Sequence, residues 1–482
     1  LADTRTIIEE WQSLTATLNS KGIKFNPQLK LGIRLRLHPT GGGKWIKSGG
    51  EAARFGLKTY EIIDAVEMLE KAKLLSKIEV LHFHLGSQIP GLEGIVNTIK
   101  EGMIVARDLK SIGLPIRIID LGGGLPVDYD ATRSSSEYSA SYDYGDYANA
   151  VVSTLVEMCN KFDISHMDIL SESGRFVTAH HAFLVTNIRS VMRAVYGDIP
   201  SRNVIPPSLP PPIHKKVTML FDLFETLQKM KPMDSYLDIY QEAHRLRESL
   251  IRDFREGKIT FRLMATIDRL FFYMIKEVMD LAMRDYERID LSFKHIVSRI
   301  EEFTSLIPLA PERYLANFSL FTSAIDVWGV NQIFPIAPIA RLNEQPTKTV
   351  FIEDITCDSD GEISVFQWQR YGLNLHDLNN KPYYIAIMLI GAYQEALSTK
   401  HNLLGEPNAI TVKITPTGEY DISIRRGENI SQVFRYAETD ENEIKNGILQ
   451  LIEEKKVDRE YASAFLDYFK QYLDATTYLE GD

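Results

Sequence analysis

Three stretches of the sequence decide its expected fold: IEVLHFHLGS (78–87), IRIIDLGGG (116–124) and MDILSESGR (167–175). Each begins with a short apolar run and ends in glycine and polar residues. A fourth apolar run, LKLGIRLRL (29–37), precedes them, and amphipathic helical patterns occupy the intervals between the four. Strands that alternate with helices in this way are typical of βα units around a parallel sheet. The sequence therefore predicts an α/β fold, and we favour a TIM-like barrel over an open sheet.

The composition argues against several classes of protein. Of the 482 residues, 44% are hydrophobic and 25% are charged, as in ordinary globular proteins and unlike disordered chains. The formal net charge of -11 argues against a broad nucleic-acid surface. Two cysteines cannot build a disulfide framework, so we expect a reducing, cytoplasmic compartment. The longest apolar run, Tyr383 to Tyr393, is too short to cross a bilayer, and the N-terminus predicts no signal peptide.

The chain is expected to contain four regions. Residues 1–203 carry the barrel strands, and the proline-rich PPSLPPP (206–212) stops their alternating pattern. Residues 204–312 predict an inserted helical bundle with a structural or assembly role. Its helical patterns lie at 217–230, 236–254, 261–278 and 291–306. Residues 313–435 are β-like, and residues 436–482 form a helical tail.

The residues that follow the three strands form the first candidate site. The carboxyl ends of parallel barrel strands converge on one mouth, so these residues are expected to lie together. The triplet Gly122, Gly123 and Gly124 lets backbone N–H groups approach an anion such as a phosphate closely. Arg175 offers a guanidinium and Ser87 a hydroxyl to the same phosphate. We expect His84 to lie against a flat cofactor ring, and Glu172 to keep a ring nitrogen protonated.

Several of these features also have simpler explanations. A glycine triplet alone is often only a sharp strand-to-helix turn, and His82 is expected to be a packed histidine on the opposite strand face from His84. In the β-like region, Cys357 and Asp358 follow an apolar strand. A cysteine beside a carboxylate can donate a proton and hold a cationic group, although a buried cysteine in a turn is the alternative. Tyr393 offers a phenol that could reach a phosphate.

Longer motifs make the chain similar to a known family. They are RFGL (54–57), HFHLGSQ (82–88), LGGGLPVDYDATRSSS (121–136), SESGR (171–175), NFSLF (317–321), ITCDSDG (355–361), GAYQE (391–395) and HNL (401–403). Together they resemble the biosynthetic arginine decarboxylases, pyridoxal-phosphate enzymes that belong with ornithine and diaminopimelate decarboxylases and alanine racemase. The resemblance implies a partial TIM-like barrel of the alanine racemase type, with a helical-bundle insertion, a C-terminal β domain and a helical tail.

The resemblance also implies an activity and roles for individual residues. The activity is the decarboxylation of L-arginine to agmatine and CO2, in the biosynthesis of putrescine and spermidine. His84 would stack on the pyridine ring of the cofactor, and Glu172 would pair with its nitrogen. Cys357 would protonate Cα after CO2 leaves, and Asp358 would hold the distal end of the substrate. The cofactor phosphate would be held by Ser87, Gly122, Gly123, Gly124, Arg175 and Tyr393.

The family further implies partners and a metal. It implies at least a homodimer, in which the loop of Cys357 and Asp358 completes the site of a neighbouring subunit. It also implies dependence on Mg2+, for which the sequence assigns no ligands. Nucleic acid and membrane partners are not expected.

The sequence departs from the family's pattern in two ways. Asn331 stands where many members have Asp, whereas Ser173 agrees with the arginine enzymes and replaces the proline usual in the ornithine-type relatives. The family's Schiff-base lysine lies upstream of the matched region, and Lys44 and Lys47 do not match its motif, so we expect this sequence to be part of a longer chain. Two alternatives stay open: a non-catalytic, decarboxylase-like binding or regulatory protein, and a decarboxylase of ornithine, lysine or diaminopimelate.

Overall fold

The structure is a computed structural model that describes residues 2–23, 30–38, 53–193, 195–231, 234–288, 312–366, 370–379, 381–454 and 456–479. The predicted helix at 291–306, together with Lys44 and Lys47, lies outside these ranges. A parallel sheet, a helical bundle and a mostly antiparallel sheet make up most of the rest. Within the described ranges, no helix is long and apolar enough to cross a membrane.

The parallel sheet corresponds to the alternating region of the sequence. Its four strands are, in spatial order, β1 (Leu31–Leu35), β2 (Ile78–Phe83), β3 (Ile118–Asp120) and β4 (Asp168–Leu170). The helices of this region are α1 (Ala2–Ser20), α2 (Thr59–Lys71), α3 (Leu92–Ser111), α4 (Tyr144–Phe162) and α5 (Gly174–Ala179). Leu81, Phe83 and Ile119 are fully buried in the core that the sheet shares with α2, α3 and α4. The predicted α/β fold is confirmed, with four parallel strands of the TIM-like barrel present.

Local sequence explains where α4 begins and ends. The Asp143 carboxylate accepts hydrogen bonds from the N–H groups of Gly145 (2.8 Å) and Asp146 (2.9 Å). The Asp146 carboxylate in turn accepts one from the Asp143 N–H (3.1 Å), which completes a capping box. The helix ends at Asp163, whose left-handed backbone closes the last turn.

The inserted bundle consists of three described helices. They are α6 (Pro211–Leu227), α7 (Tyr236–Arg255) and α8 (Phe261–Arg288). The helix α6 begins inside the proline-rich segment, six residues before the predicted start, because the first turn of a helix tolerates proline. Leu270, Met274 and Ile275 of α8 are fully buried, as their spacing predicts.

The second sheet has seven strands and draws on distant parts of the chain. They are β5 (Leu184–Met192), β6 (Glu312–Ala316), β7 (Ile336–Pro338), β8 (Lys348–Glu353), β9 (Glu362–Ile363), β12 (Leu373–Leu375) and β13 (Tyr384–Ile387). Its order is β12-β8-β6-β5-β13-β7, with β9 beside β8. Although β5 falls within the predicted region 1–203, it pairs with β6 and β13 of the C-terminal part. Residue 203 therefore does not separate the two sheets.

Shorter elements complete the C-terminal part. Two small hairpins are β10 (Val365–Phe366) with β11 (Arg370–Tyr371), and β14 (Ala409–Ile414) with β15 (Tyr420–Arg425). Short helices are α9 (Leu320–Ser323), α10 (Asp326–Val330) and α11 (Gln394–Leu397). The tail contains α12 (Ile430–Tyr436), α13 (Glu441–Glu453) and α14 (Arg459–Leu473).

Candidate active site

A row of polar side chains crosses the parallel sheet near the carboxyl ends of its strands. In the strand register Arg34 of β1 is paired with His82 of β2, and His82 with Asp120 of β3. His82 Nδ1 lies 3.0 Å from Asp120 Oδ2, and ligand atoms of His82, Asp120 and Glu172 lie within 4.8 Å of one another. The prediction that His82 faces away from His84 is wrong, because strand residues i and i+2 share a face and His82 lies close enough to influence the His84 ring electrostatically.

The glycine loop after β3 contacts the loops that follow β2 and β4. The Gly123 N–H donates to His84 Nδ1 (3.2 Å), and the Glu172 N–H donates to the Gly122 carbonyl (2.8 Å). Gly122 has a φ of +66°, and a Cβ there would lie 2.7 Å from His84 Nδ1, so the position requires glycine. The three polar clusters predicted from sequence are therefore in contact.

The His84 ring is held in its neutral form. Burial lowers the pKa of His84, and the nearby positive charge of Arg34 lowers it further. Because Nδ1 accepts the Gly123 hydrogen bond, the neutral ring carries its proton on Nε2. Burial also lowers the pKa of Arg34, and the carboxylates of Glu172 and Asp120 oppose that effect.

Arg175, the second residue of α5, is the buried cation of the site. Only 8% of the residue is exposed. Its Nε donates to Ser87 Oγ (3.2 Å), its Nη1 donates to the Tyr129 hydroxyl (3.1 Å), and its guanidinium carbon lies 4.6 Å from the centre of the Tyr393 ring. Tyr393 comes from the segment before α11, where its φ is +70°. The structure thus brings three of the predicted phosphate-binding residues together.

Two further residues that support this cluster were not predicted from the sequence. Tyr129 is buried, and its hydroxyl contacts Arg175. Gln88 is buried as well: its Nε2 donates to the Val127 carbonyl (2.6 Å), and its Oε1 accepts from the Val127 N–H (3.0 Å). Gln88 thereby fixes the segment after the glycine triplet to the loop after β2. Both residues lie within motifs noted above, but nothing in their local sequence distinguishes them from other polar loop residues.

Cys357 and Asp358 form a separate cluster. Cys357 is exposed, so the alternative of a buried cysteine is wrong. The Cys357 N–H donates to Asn402 Oδ1 (3.2 Å), and Asn402 Nδ2 donates to Cys357 Sγ (3.2 Å). An Asp358 carboxylate oxygen lies 3.0 Å from His401 Nε2. Asp358 Oδ1 also accepts the Asp360 N–H (3.0 Å). Among the described residues, no hydrogen bond or ion pair joins Cys357 or Asp358 to Arg175 or His84.

The trio of His82, Asp120 and Glu172 is the only described group with metal-ligand geometry. It does not fit Mg2+, which prefers octahedral oxygen ligands, because one of its three donors is an imidazole nitrogen. The Asp120 carboxylate is also engaged, since it accepts from the Gly122 N–H (2.9 Å) and faces His82. These three residues therefore do not form a magnesium site.

Comparison with known families shows the class to which the parallel sheet and its site belong. The pyridoxal binding domain of the pyridoxal-dependent decarboxylases matches residues 20–179. A second match, to the arginine decarboxylase helical bundle domain, spans residues 214–290. The chain is thus a decarboxylase of the pyridoxal-dependent class, and its inserted bundle is of the kind described for arginine decarboxylases.

Individual relatives narrow the class to one family. The biosynthetic arginine decarboxylase of Bacteroides thetaiotaomicron is 34% identical over 466 residues, covering 95% of this chain and 71% of the relative. That of Nostoc sp. is 32% identical over 482 residues, covering 98% and 67%. The crystal structure of the biosynthetic arginine decarboxylase SpeA from Campylobacter jejuni superposes with a TM-score of 0.75 at 29% identity, covering 100% of this chain and 73% of that chain. The chain belongs to the biosynthetic arginine decarboxylase family.

Proposed function

We propose that this protein decarboxylates L-arginine to agmatine and CO2 with pyridoxal 5′-phosphate as its cofactor, as a step in polyamine biosynthesis. Membership of the family supports the reaction, because the relatives from Bacteroides thetaiotaomicron and Nostoc sp. carry the name biosynthetic arginine decarboxylase. The observation that carries the proposal is the buried guanidinium of Arg175.

The surroundings of Arg175 fit a phosphate group. Its described hydrogen bonds go to two hydroxyl groups and its stacking partner is a phenol ring, so no described carboxylate forms an ion pair with the buried guanidinium. A buried charge without a counter-charge is strongly unfavourable. A phosphate would supply the missing negative charge. Hydroxyls for its other oxygens would come from Ser87 and Tyr393, and a backbone N–H group from Gly124. The N–H groups of Gly122 and Gly123 would join them by exchanging their bonds to Asp120 and His84 for bonds to the phosphate.

The residues around the glycine loop fit the ring of the same cofactor. When bound, pyridoxal phosphate supplies an electron sink for the negative charge that CO2 leaves behind. A neutral His84 offers a flat ring face without repelling a protonated pyridine. The Glu172 carboxylate favours a proton on the pyridine nitrogen, because an adjacent negative charge favours the cationic form. The guanidinium of Arg34 interacts electrostatically with that carboxylate.

We assign proton donation and binding of the distal end of the substrate to the Cys357 loop. Cys357 gives its thiol proton to Cα, so an S–H bond breaks and a C–H bond forms. Asp358 binds the guanidinium of the substrate, since a carboxylate accepts two parallel hydrogen bonds from it. Their side chains contact His401, Asn402 and the Asp360 N–H, and no described hydrogen bond or ion pair joins them to Arg175. This separation supports a homodimer, or a larger homo-oligomer, in which the loop completes the site of a second copy.

Further assignments belong to the same proposal. The proposed functional regions are 1–203, 204–312, 313–435 and 436–482, and the first of them contributes β5 to the second sheet. The low cysteine count supports a cytoplasmic location. Dependence on Mg2+ stays an implication of the family, for which the described residues offer no oxygen-only ligand set.

The test, run on the full-length parent chain, is release of labelled CO2 and formation of agmatine from carboxyl-labelled L-arginine, with pyridoxal phosphate and Mg2+ added and with ornithine and lysine in parallel. We expect turnover selective for arginine. Cys357→Ser should lower kcat by about 100-fold, within the usual range for loss of a general acid, whereas Ser359→Ala in the same loop should not. Preferential turnover of ornithine or lysine, or cofactor binding without turnover of any of the three, would contradict the proposal.

A further inference from the structure

We propose that Asn402 is a positioning residue for the proton donor Cys357, an inference that rests on the proposed function. One side-chain amide makes two contacts with a single residue 45 positions away. Its Oδ1 accepts the Cys357 N–H (3.2 Å), and its Nδ2 donates to the Cys357 Sγ (3.2 Å). Two contacts at different atoms fix the direction of the Cα–Cβ–Sγ unit, which a single contact would leave free to rotate.

The neighbouring residues form a second contact of the same pattern. His401 Nε2 lies 3.0 Å from Asp358 Oδ2, and the His401 ring packs 4.5 Å from the centre of the Phe321 ring. Two consecutive residues, His401 and Asn402, thus hold two consecutive residues of the loop. Because His401 and Asn402 are adjacent, the proton donor Cys357 and the proposed substrate-binding residue Asp358 are held in a fixed position relative to each other.

The backbone at Asn402 indicates that this arrangement is specific. Its φ is +53°, in the left-handed region that most residues avoid and that asparagine tolerates better than most. Leu403 shares this conformation, with a φ of +58°. The strained turn directs the Asn402 amide towards the loop after β8, where its only described side-chain hydrogen bonds are those to Cys357.

The hydrogen bond from Asn402 to the Cys357 sulfur matters most after Cys357 has donated its proton. Once Cys357 has given up its proton, its sulfur is an anion close to several carboxylates. The titratable and charged groups around it are Asp358 and Asp360 in the loop, Asp354 at its base, His401 beside Asn402, and Lys400, which is paired with Glu428. The carboxylates disfavour the thiolate, whereas an N–H donor favours it. Asn402 therefore stabilises the form of Cys357 that proton transfer leaves behind.

The test is the rate at which iodoacetamide alkylates Cys357 as a function of pH, in this chain without cofactor or substrate. The chain has two cysteines, and Cys159 is buried, so rapid labelling reports Cys357 alone. Cys357→Ser provides the blank. The variants are Asn402→Gly, which keeps the left-handed backbone and removes the amide, and Asn402→Asp, which keeps the shape but replaces the N–H donor with a carboxylate. Leu403→Gly is the matched control for loosening the turn.

At pH 7 we expect Asn402→Gly to alkylate about fivefold more slowly, which corresponds to loss of one hydrogen bond of about 1 kcal/mol, and Asn402→Asp more slowly still. The rates should converge at pH values well above the ordinary thiol pKa of about 8.5, and Leu403→Gly should follow the unmodified chain throughout. Equal rates at pH 7 overturn the inference. A difference that persists undiminished at high pH overturns it as well, because it reports access to the sulfur instead of its ionisation.

Turnover separates this inference from the proposed function. If arginine is decarboxylated, Asn402→Gly should lower kcat and leave the KM for arginine unchanged, whereas His401→Gln, which acts through Asp358, should raise KM. A change in KM alone for Asn402→Gly overturns the assigned role. The alkylation profile requires no turnover, so it still tests the role of Asn402 if arginine is not decarboxylated. Turnover of arginine likewise tests the proposed function whatever the alkylation rates show.

Discussion

Replacement of the buried Arg175 by methionine tests the phosphate site most directly. Methionine has a similar length and no charge, so the pocket keeps most of its shape. In the free protein two effects oppose each other. The hydrogen bonds to Ser87 and Tyr129 are lost, at about 1.5–3 kcal/mol each. Relief from burying an unbalanced charge returns several kcal/mol. We therefore expect the free energy of unfolding to change by less than about 2 kcal/mol in either direction.

Ligand binding should respond much more strongly than stability. A guanidinium donating two charge-assisted hydrogen bonds to a phosphate contributes about 3–6 kcal/mol, at 1.5–3 kcal/mol for each bond. Its loss should weaken binding of pyridoxamine 5′-phosphate by about 100-fold or more. Pyridoxamine, which lacks the phosphate, should bind the variant and the unmodified chain equally. Both ligands are amines and form no imine with surface lysines, so calorimetric titration reads binding alone.

The control and the refuting results follow from the same comparison. Arg193 is an exposed arginine paired with Glu312 at 3.6 Å, and Arg193→Met should leave the affinity for both ligands unchanged. If Arg175→Met weakens pyridoxamine as much as its phosphate ester, Arg175 supports only the shape of the pocket. If it weakens neither, the phosphate binds elsewhere and the assignment of this arginine is wrong.

Three further predictions concern the glycine loop, the pH dependence of stability and the bundle. Gly123→Ala should weaken pyridoxamine 5′-phosphate binding at least tenfold in the same titration, because its Cβ would lie 2.8 Å from the Glu172 carbonyl; an unchanged affinity would show that the loop moves freely. Burial lowers the pKa of His84, so the unfolded chain binds a proton at this residue before the folded chain does, and the folded state loses stability as the pH falls below about 6.5. In urea unfolding, His84→Phe should therefore lose less stability between pH 7 and pH 5.5 than the unmodified chain. An equal loss would contradict this prediction. Leu270→Ala, in the fully buried face of α8, should lower the free energy of unfolding by about 2–5 kcal/mol, whereas a loss under 1 kcal/mol would mean that the bundle repacks.

Elements with a complete local pattern were predictable from the sequence. The strand β2, the helix α4 and the strand β15 have the apolar runs or helical spacing that their bounds require, and polar or turn residues end each of them. By contrast, β5 was not predicted. Its register is set by Tyr384 and Ala316, which lie more than a hundred residues away, and no local pattern reveals such partners. The same reason explains why its place in the second sheet was missed.

The sequence by itself determined the class of fold, the three clusters at the strand ends and the residue types of the site, because each depends on short-range spacing. Only the tertiary structure decided which of these residues meet. It places the Tyr129 hydroxyl against Arg175, 46 positions away, and Asn402 against Cys357, 45 positions away. It also shows that Cys357 is exposed. Contacts between distant residues depend on the path of the chain between them, and no local pattern in the sequence encodes that path.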